Sequence, residues 1–378
     1  MSVAVPSQAQ AVSQLHLPGS FDTSAHPQPT RSDEVWRYTP VDKLLDLADT
    51  SKVRTPLSLG VESGPQLMSL GPEMSPRGQV LIPVDRPSAI AAAVDQAEFL
   101  LINGVHTETI RLNVSGEIES KLTANHLVIE AKPGSSAIVV ITHFGKARYV
   151  GNIEILVGDN AELTVVSIQD WQPGSIHLGQ HEALVSPDAK YRHVMVSIGG
   201  DLVRLTNNVS FASHGGQAEL YGVYFTSAHQ HLEHRLFIDH NYPKSVSKVD
   251  YRGGLQGEGA HSVWVGDVLI RPQALGIETM ESNRNLVLTK GCRADAVPNL
   301  EIQTGEIVAA GHSASVGHFD DEQLFYLQSR AIPPDQARHL VAAGFFKTIL
   351  SRIGIEDVES TIMARIDAEL GVSKENWS

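Results

Sequence analysis

Two stretches of this 378-residue chain concentrate side chains that could do chemistry. The first, EIVAAGHSASVGHFDDEQLFYLQSR, runs from Glu306 to Arg330 and sets His312 and His318 just ahead of Asp320, Asp321 and Glu322. The second, HQHLEHRLFIDH, brings His229, His231, His234 and His240 together with Glu233 and Asp239. Imidazoles beside carboxylates suit iron or zinc. In a strand, however, side chains alternate between faces. His229 and His231 could then share one face, while His234 falls on the other unless a turn intervenes. The plain alternative is a polar surface whose histidines are engaged in hydrogen bonds.

Other chemistries find less support. Adjacent acids at a helix start favour the positive end of the helix dipole, and that is the role Asp320 to Glu322 suit. A glycosidase carboxylate pair would have to be assembled by the fold. Cys292 is the one cysteine of the chain. It permits neither an internal disulfide nor a site that needs several thiolates from one chain. With no histidine implied beside it, Cys292 reads as a buried thiol rather than a nucleophile. Gly145-Lys146 lacks the upstream glycine of a phosphate loop, and Gly257-Glu258-Gly259 opens no helix, so ATP hydrolysis is not expected of this chain.

The charge balance excludes another class. Lys and Arg number 29 against 43 Asp and Glu, a formal charge of −14. Sequence-independent nucleic-acid binding needs clustered basic residues, and none is expected here. No basic region followed by an apolar run precedes Asp22, so no signal peptide is expected. The most apolar stretch, Ala89 to Val105, is broken by Asp95, Gln96 and Glu98 and is too polar to span a membrane. The expected location is the cytoplasm.

These residues need a frame. Residues 1–31, rich in Gln, Ser, Pro and Ala, read as a flexible tail. Residues 32–105 read as an N-terminal helical region and connector. Ser32 or Asp33 caps a short helix, Trp36 and Tyr38 are anchors, and Pro40 starts a second helix with Leu44, Leu45 and Leu47. Residues 51–80 read as a connector and 87–102 as another helix. From 106 to 319, β-rich runs recur, each introduced by a polar turn and a small residue, with alanines at 137, 161, 189, 218, 260, 274 and 294. Many short strands suit a sandwich, barrel or solenoid. A small residue repeated after each turn favours the solenoid, where coils stack closely. Residues 320–378 read as a C-terminal helical domain. Pro333-Pro334 opens a helix carrying Leu340, Val341, Phe345, Phe346, Ile349 and Ile353, and a last helix carries Ile362 and Ile366.

Four long stretches carry a resemblance that covers roughly residues 30–371. They are Glu34–Leu44, Gln230–Ile270, Glu281–Ile307 and Gly317–Ile332. In that order they resemble the SufB/SufD family of scaffold subunits of the SUF iron–sulfur cluster assembly machinery, on its SufD side. The cysteines of SufB are absent. The resemblance implies a mainly β fold: a right-handed parallel β-helix (β-solenoid) flanked by N-terminal and C-terminal helical regions. It also implies a non-catalytic scaffold that pairs with SufB, binds the SufC ATPase through its C-terminal helices, and forms a homodimer in isolation. A nascent iron–sulfur cluster would form at the SufB–SufD interface, and a reduced flavin is associated with the complex.

The resemblance also assigns residues. Relatives commonly read Cys-Ser-His-Gly where this chain reads Ala310-Gly311-His312-Ser313. His312 thereby matches the interface histidine and becomes the candidate metal ligand, since neutral imidazole ligates iron. Ala310 in the cysteine position removes a thiol ligand. Leu340, Phe345 and Phe346 become candidates for SufC binding. Phe345 and Phe346 point about 100° apart on a helix, so burying both takes more than one surface. The rival readings are a SufB-like paralogue, an iron-binding β-helix module using His229 to His240, and a β-helix carbohydrate-active enzyme.

Overall fold

The structure is a computed structural model that describes residue 15 and residues 17–48, 56–319 and 321–372. Its body is a parallel β-solenoid, the fold class expected from the turns and their alanines. Strands β4 (Ile110–Ala131) and β5 (Ser136–Val157) are each long enough to run along both faces of a coil. The first half of β5 pairs with β6 (Glu162–Trp171) and its second half with β7 (Ile176–Val185). From there each coil is two separate strands. One stack continues through β8 (Lys190–Ser197), β10 (Gln217–Thr226), β12 (Val246–Leu255), β14 (Glu278–Val287) and β16 (Ala309–Gly317). The other continues through β9 (Leu202–Phe211), β11 (His231–His240), β13 (His261–Ile270) and β15 (Arg293–Ile302).

The turns explain the alanines. The chain takes a left-handed residue at Asn160, Asp188, His229, Lys244 or a glycine such as Gly215. Asn, Asp and Gly tolerate that region best. The small residue that follows is enclosed where coils stack, and Ala161, Ala189, Ala260 and Ala274 are all fully buried. Register then carries inward side chains from coil to coil. Val165, His193, Leu220, Val249, Glu281 and His312 form one such in-register column.

Both outward faces of the stacks are covered, which is why the strands read as apolar runs rather than alternating ones. Helices α2 (Asp321–Ser329), α3 (Pro334–Leu350) and α4 (Glu356–Val372) follow the solenoid. Ala342, Phe346, Ile349, Ile353, Ile362 and Ile366 join a core cluster with Val166, Val194, Tyr221, Val223 and Phe225 on the first stack. The helices therefore pack along the solenoid's side, not across its end. The N-terminal residues Trp36, Leu44, Leu47 and Ile90 cover the second stack over Val150, Leu178 and Leu202. Among the described residues no helix is long and apolar enough to cross a membrane.

Four expectations for the N-terminal part are corrected. The tail expected through residue 31 is bonded to the body from Ser20 onward. Ser20 N donates to Pro83 O (2.8 Å), and Gln28 Nε2 donates to Leu44 O (3.0 Å). Hydrogen bonds rather than large apolar residues hold it, so composition hides it. The expected connector contains β1 (Ser58–Ser63), antiparallel to β4, and β2 (Met68–Leu70). The helix expected over 87–102 is a short α1 (Arg86–Ala92) followed by β3 (Ala97–Ile102), which β2 flanks. The run AEFLLI is too short for its apolar pattern to separate strand from helix. The two short helices expected after Ser32 are 3-10 turns, Glu34–Trp36 and Val41–Ala48. Asp320 lies outside the described residues.

Candidate functional site

The two ends of the solenoid differ. At the N-terminal end, β1 and β2 lie antiparallel along β4 and β3 and cover the first coil's edges. At the other end β15 and β16 are the last strands of their stacks. All of β16 is exposed or half-buried, as is all of β15. Val308 and Val316 stand exposed there. An uncovered edge of this length offers unpaired N–H and C=O groups to another strand. Pro298, which cannot donate a backbone hydrogen bond, sits where such a residue is tolerated.

His312 lies on this open edge, exposed, in register above Glu281 of β14. Parallel in-register neighbours project to the same face, so His312 ends an inward column at the mouth of the lumen. Ala310 and Ala314 flank it in the neighbouring columns. His318 follows the strand and is exposed. Nothing in the sequence singles out Glu281. Its inward position shows only once the coils are in register.

The four histidines of the second stretch do not converge. His229 occupies the turn before β11 with φ 63°. His234 and His240 face the lumen. His234 Nε2 lies 2.9 Å from Ser197 Oγ, and the ring stacks on Tyr224. His240 is held between Ser245 Oγ (2.8 Å) and Ser247 Oγ (2.9 Å). His231 faces outward, 3.1 Å from Glu233 through Nε2 and 3.1 Å from His261 Nδ1 through Nδ1. The reading of these residues as a joint iron site is corrected: the turn and the strand's alternation send them to different surroundings. Among the described residues no group of three or more His, Cys, Asp or Glu is placed to hold a metal ion.

Inside the lumen, burial makes histidines neutral. It depresses His143 to about 4 and His193, His234 and His240 to about 3, and holds His177 and His181 well below the usual range. They belong to a hydrogen-bonded interior, as His181 Nδ1 to His193 Nε2 (3.1 Å) and Asn207 Nδ2 to His193 Nδ1 (3.0 Å) show.

On the outward face of the second stack, buried carboxylates fix the N-terminal segment. Glu154 accepts from the backbone N–H of Gly78 and Val80, both at 2.7 Å. Glu233 accepts from Thr39 Oγ1 (2.6 Å) and Arg204 Nε (3.2 Å). Burial works to raise the Glu233 carboxyl, but Arg204, His231 and Arg235 outweigh it and hold it well below the usual range. A groove of about 1180 Å³ runs between this segment and the sheet. Its arginines are committed to carboxylates, Arg271 to Asp239 by two 2.7 Å bonds and Arg204 to Asp85 at 2.9 Å.

The helix candidates separate. Leu340 is 50% exposed, and Phe325 and Tyr326 of α2 are exposed as well. Phe345 is half-buried, with the Arg252 guanidinium 5.3 Å from its ring centroid. Phe346 is fully buried against Phe225, ring centroids 5.9 Å apart. A Cβ at Gly254 would meet its ring at 2.6 Å, so that glycine makes its room. The expectation that Phe346 contacts a partner is therefore corrected: it is the residue that joins α3 to the solenoid. Cys292 sits half-buried in the turn before β15, donating weakly to Gly257 O (3.4 Å). Burial raises its thiol, which favours the protonated form over the nucleophilic thiolate.

Comparison with known proteins adds the family. The model of the SUF system FeS cluster assembly SufBD core domain matches residues 113–345. An iron–sulfur cluster assembly SufBD family protein of Mycobacterium leprae is 43% identical over 99% of this chain and 98% of its own. A SufBD family protein of Mycobacterium tuberculosis is 44% identical, covering 94% of this chain and 92% of its own. The SufD protein of Escherichia coli is 25% identical over 90% of this chain and 89% of its own. With the core match running through the solenoid and into α3, the chain belongs to the SufB/SufD family of the SUF iron–sulfur cluster assembly system.

Proposed function

We propose that this protein is a non-catalytic scaffold subunit that pairs through its open solenoid end with a SufB-type partner. Iron–sulfur clusters would be assembled at that seam. The observation that carries the reading is the asymmetry of the solenoid: one end is covered by β1 and β2, while β15 and β16 leave the other uncovered with His312 at its mouth. Parallel edge strands can be extended by strands of a second solenoid. The same edges support a homodimer when the chain is alone. The SufC ATPase would dock on the C-terminal helices, where Leu340, Phe325 and Tyr326 are large apolar or aromatic side chains left exposed. A nascent cluster, and a reduced flavin associated with it, would belong to the complex rather than to this chain alone.

The test is co-expression with a SufB-type and a SufC-type protein, followed by purification and assay of iron and acid-labile sulfide. The reading expects a stable ternary complex that acquires iron and sulfide in comparable amounts. Failure of the three chains to co-purify would overturn it.

A further inference from the structure

Glu281 is the inward residue one coil below His312. It is 3% exposed, and neither carboxylate oxygen has a hydrogen-bond partner. The side chain crosses the lumen toward β13, where a Cβ at Gly266 would overlap its Oε1. A glycine at 266 is thus what admits the carboxylate. An unpartnered carboxylate costs several kcal/mol to bury as an anion, so such a position calls for either a proton or a cation. Burial pushes the group up to about 8, as expected where no donor faces it.

The coil above completes the setting. In register over Glu281, Gly266 and Trp264 stand His312, Pro298 and Ala296. Ala310 and Ala314 flank His312 along β16. Apart from the histidine these residues are small. A glutamate with three side-chain torsions therefore has room to turn toward the mouth. Neighbouring parallel strands are about 4.8 Å apart, which sets an imidazole and a carboxylate on one wall of the lumen within reach of a single ion. That donor pair suits a first-row divalent cation with water or a second chain completing the shell.

We propose that Glu281 and His312 form a divalent-cation site at the lumen mouth, which receives ferrous iron as the substrate of assembly. This rests on reading the open end as the assembly interface. It adds a ligand from the next coil inward, so that iron is held by this subunit before any partner residue closes on it.

The test is an anaerobic titration of the purified full chain with Co(II), followed by its visible absorption bands. Glu281→Gln keeps the shape and the neutral charge of the protonated acid. Its thermal midpoint by circular dichroism should match the parent and so report an intact fold. Saturable Co(II) binding is expected, weakened about tenfold or more in Glu281→Gln and in His312→Ala. Unchanged binding in Glu281→Gln, or no saturable binding by the parent chain up to about 1 mM, overturns the site. Co-purification of Glu281→Gln with the SufB-type and SufC-type chains is scored separately. Loss of the Co(II) site with pairing intact therefore stays distinct from failure of the scaffold reading.

Discussion

The guanidinium carbon of Arg204 lies 3.7 Å from the centroid of the Trp36 ring. Arg204 stands on the outward face of β9, and Trp36, 4% exposed, belongs to the N-terminal segment that covers it. The same guanidinium bonds Glu233 of β11 and Asp85, the N-cap of α1. One side chain thus ties three separate parts of the chain into one surface. Trp36→Ala removes the ring and leaves a cavity, and should destabilise the protein by about 3–5 kcal/mol in urea unfolding. A loss below about 1 kcal/mol would mean the segment's attachment does not depend on this pair.

Phe346 makes a second prediction, opposite in kind from one drawn for a partner-facing residue. Phe346→Ala should lower stability by about 3–5 kcal/mol, because it empties the seam between α3 and Phe225. Leu340→Ala, at an exposed position, should leave the thermal midpoint within about 2 °C. If the exposed side chains of α2 and α3 receive SufC, Leu340→Ala and Phe325→Ala together should weaken SufC binding about tenfold in titration calorimetry. Equal affinity in the double variant would move the SufC site elsewhere.

The lumen histidines set the response to acid. Their folded-state values, depressed by burial to about 3 or 4 for His143, His193, His234 and His240, lie below the 6.5 of an exposed histidine. The unfolded chain therefore binds more protons between those limits. Stability is fully present above about pH 6.5 and falls as pH drops toward 4, each histidine adding a slope of up to about 1.4 kcal/mol per pH unit. Glu182 and Glu281, raised by burial to about 7 and about 8, act in the opposite sense. They bind protons in the folded state from about pH 4.5 upward and lose stability as pH rises. Counting His177 and His181, six histidines outnumber these two carboxylates. The urea midpoint should fall from pH 6.5 to pH 5, and a midpoint constant over that range would contradict a neutral lumen.

His312→Ala should leave folding unchanged, because the side chain is exposed on the last strand. Circular dichroism and the thermal midpoint are expected to match those of the parent. In the assembled complex the same variant should reduce iron and sulfide loading several-fold. Normal loading would leave His312 a surface residue of the seam.

The amino-acid sequence by itself determined the repeating turns, the small residue after each, and the helices after Pro333. These are local matters, settled by backbone conformation and by spacing within a few residues. It also displayed His312 and the stretches shared with the family. The direction each side chain faces was not local. Strands buried on both sides, such as the run Val194-Met195-Val196, carry no alternation from which to tell lumen from exterior. Only the stacking of coils placed His234 and His240 inside, His231 outside, and His229 in a turn. It likewise set Glu281 over Gly266 and beneath His312, and it turned Phe346 into the solenoid while leaving Leu340 outside. Those placements depend on register between segments far apart in the chain. Such register is fixed by the fit of one coil's side chains against the next, and tertiary packing alone supplied it.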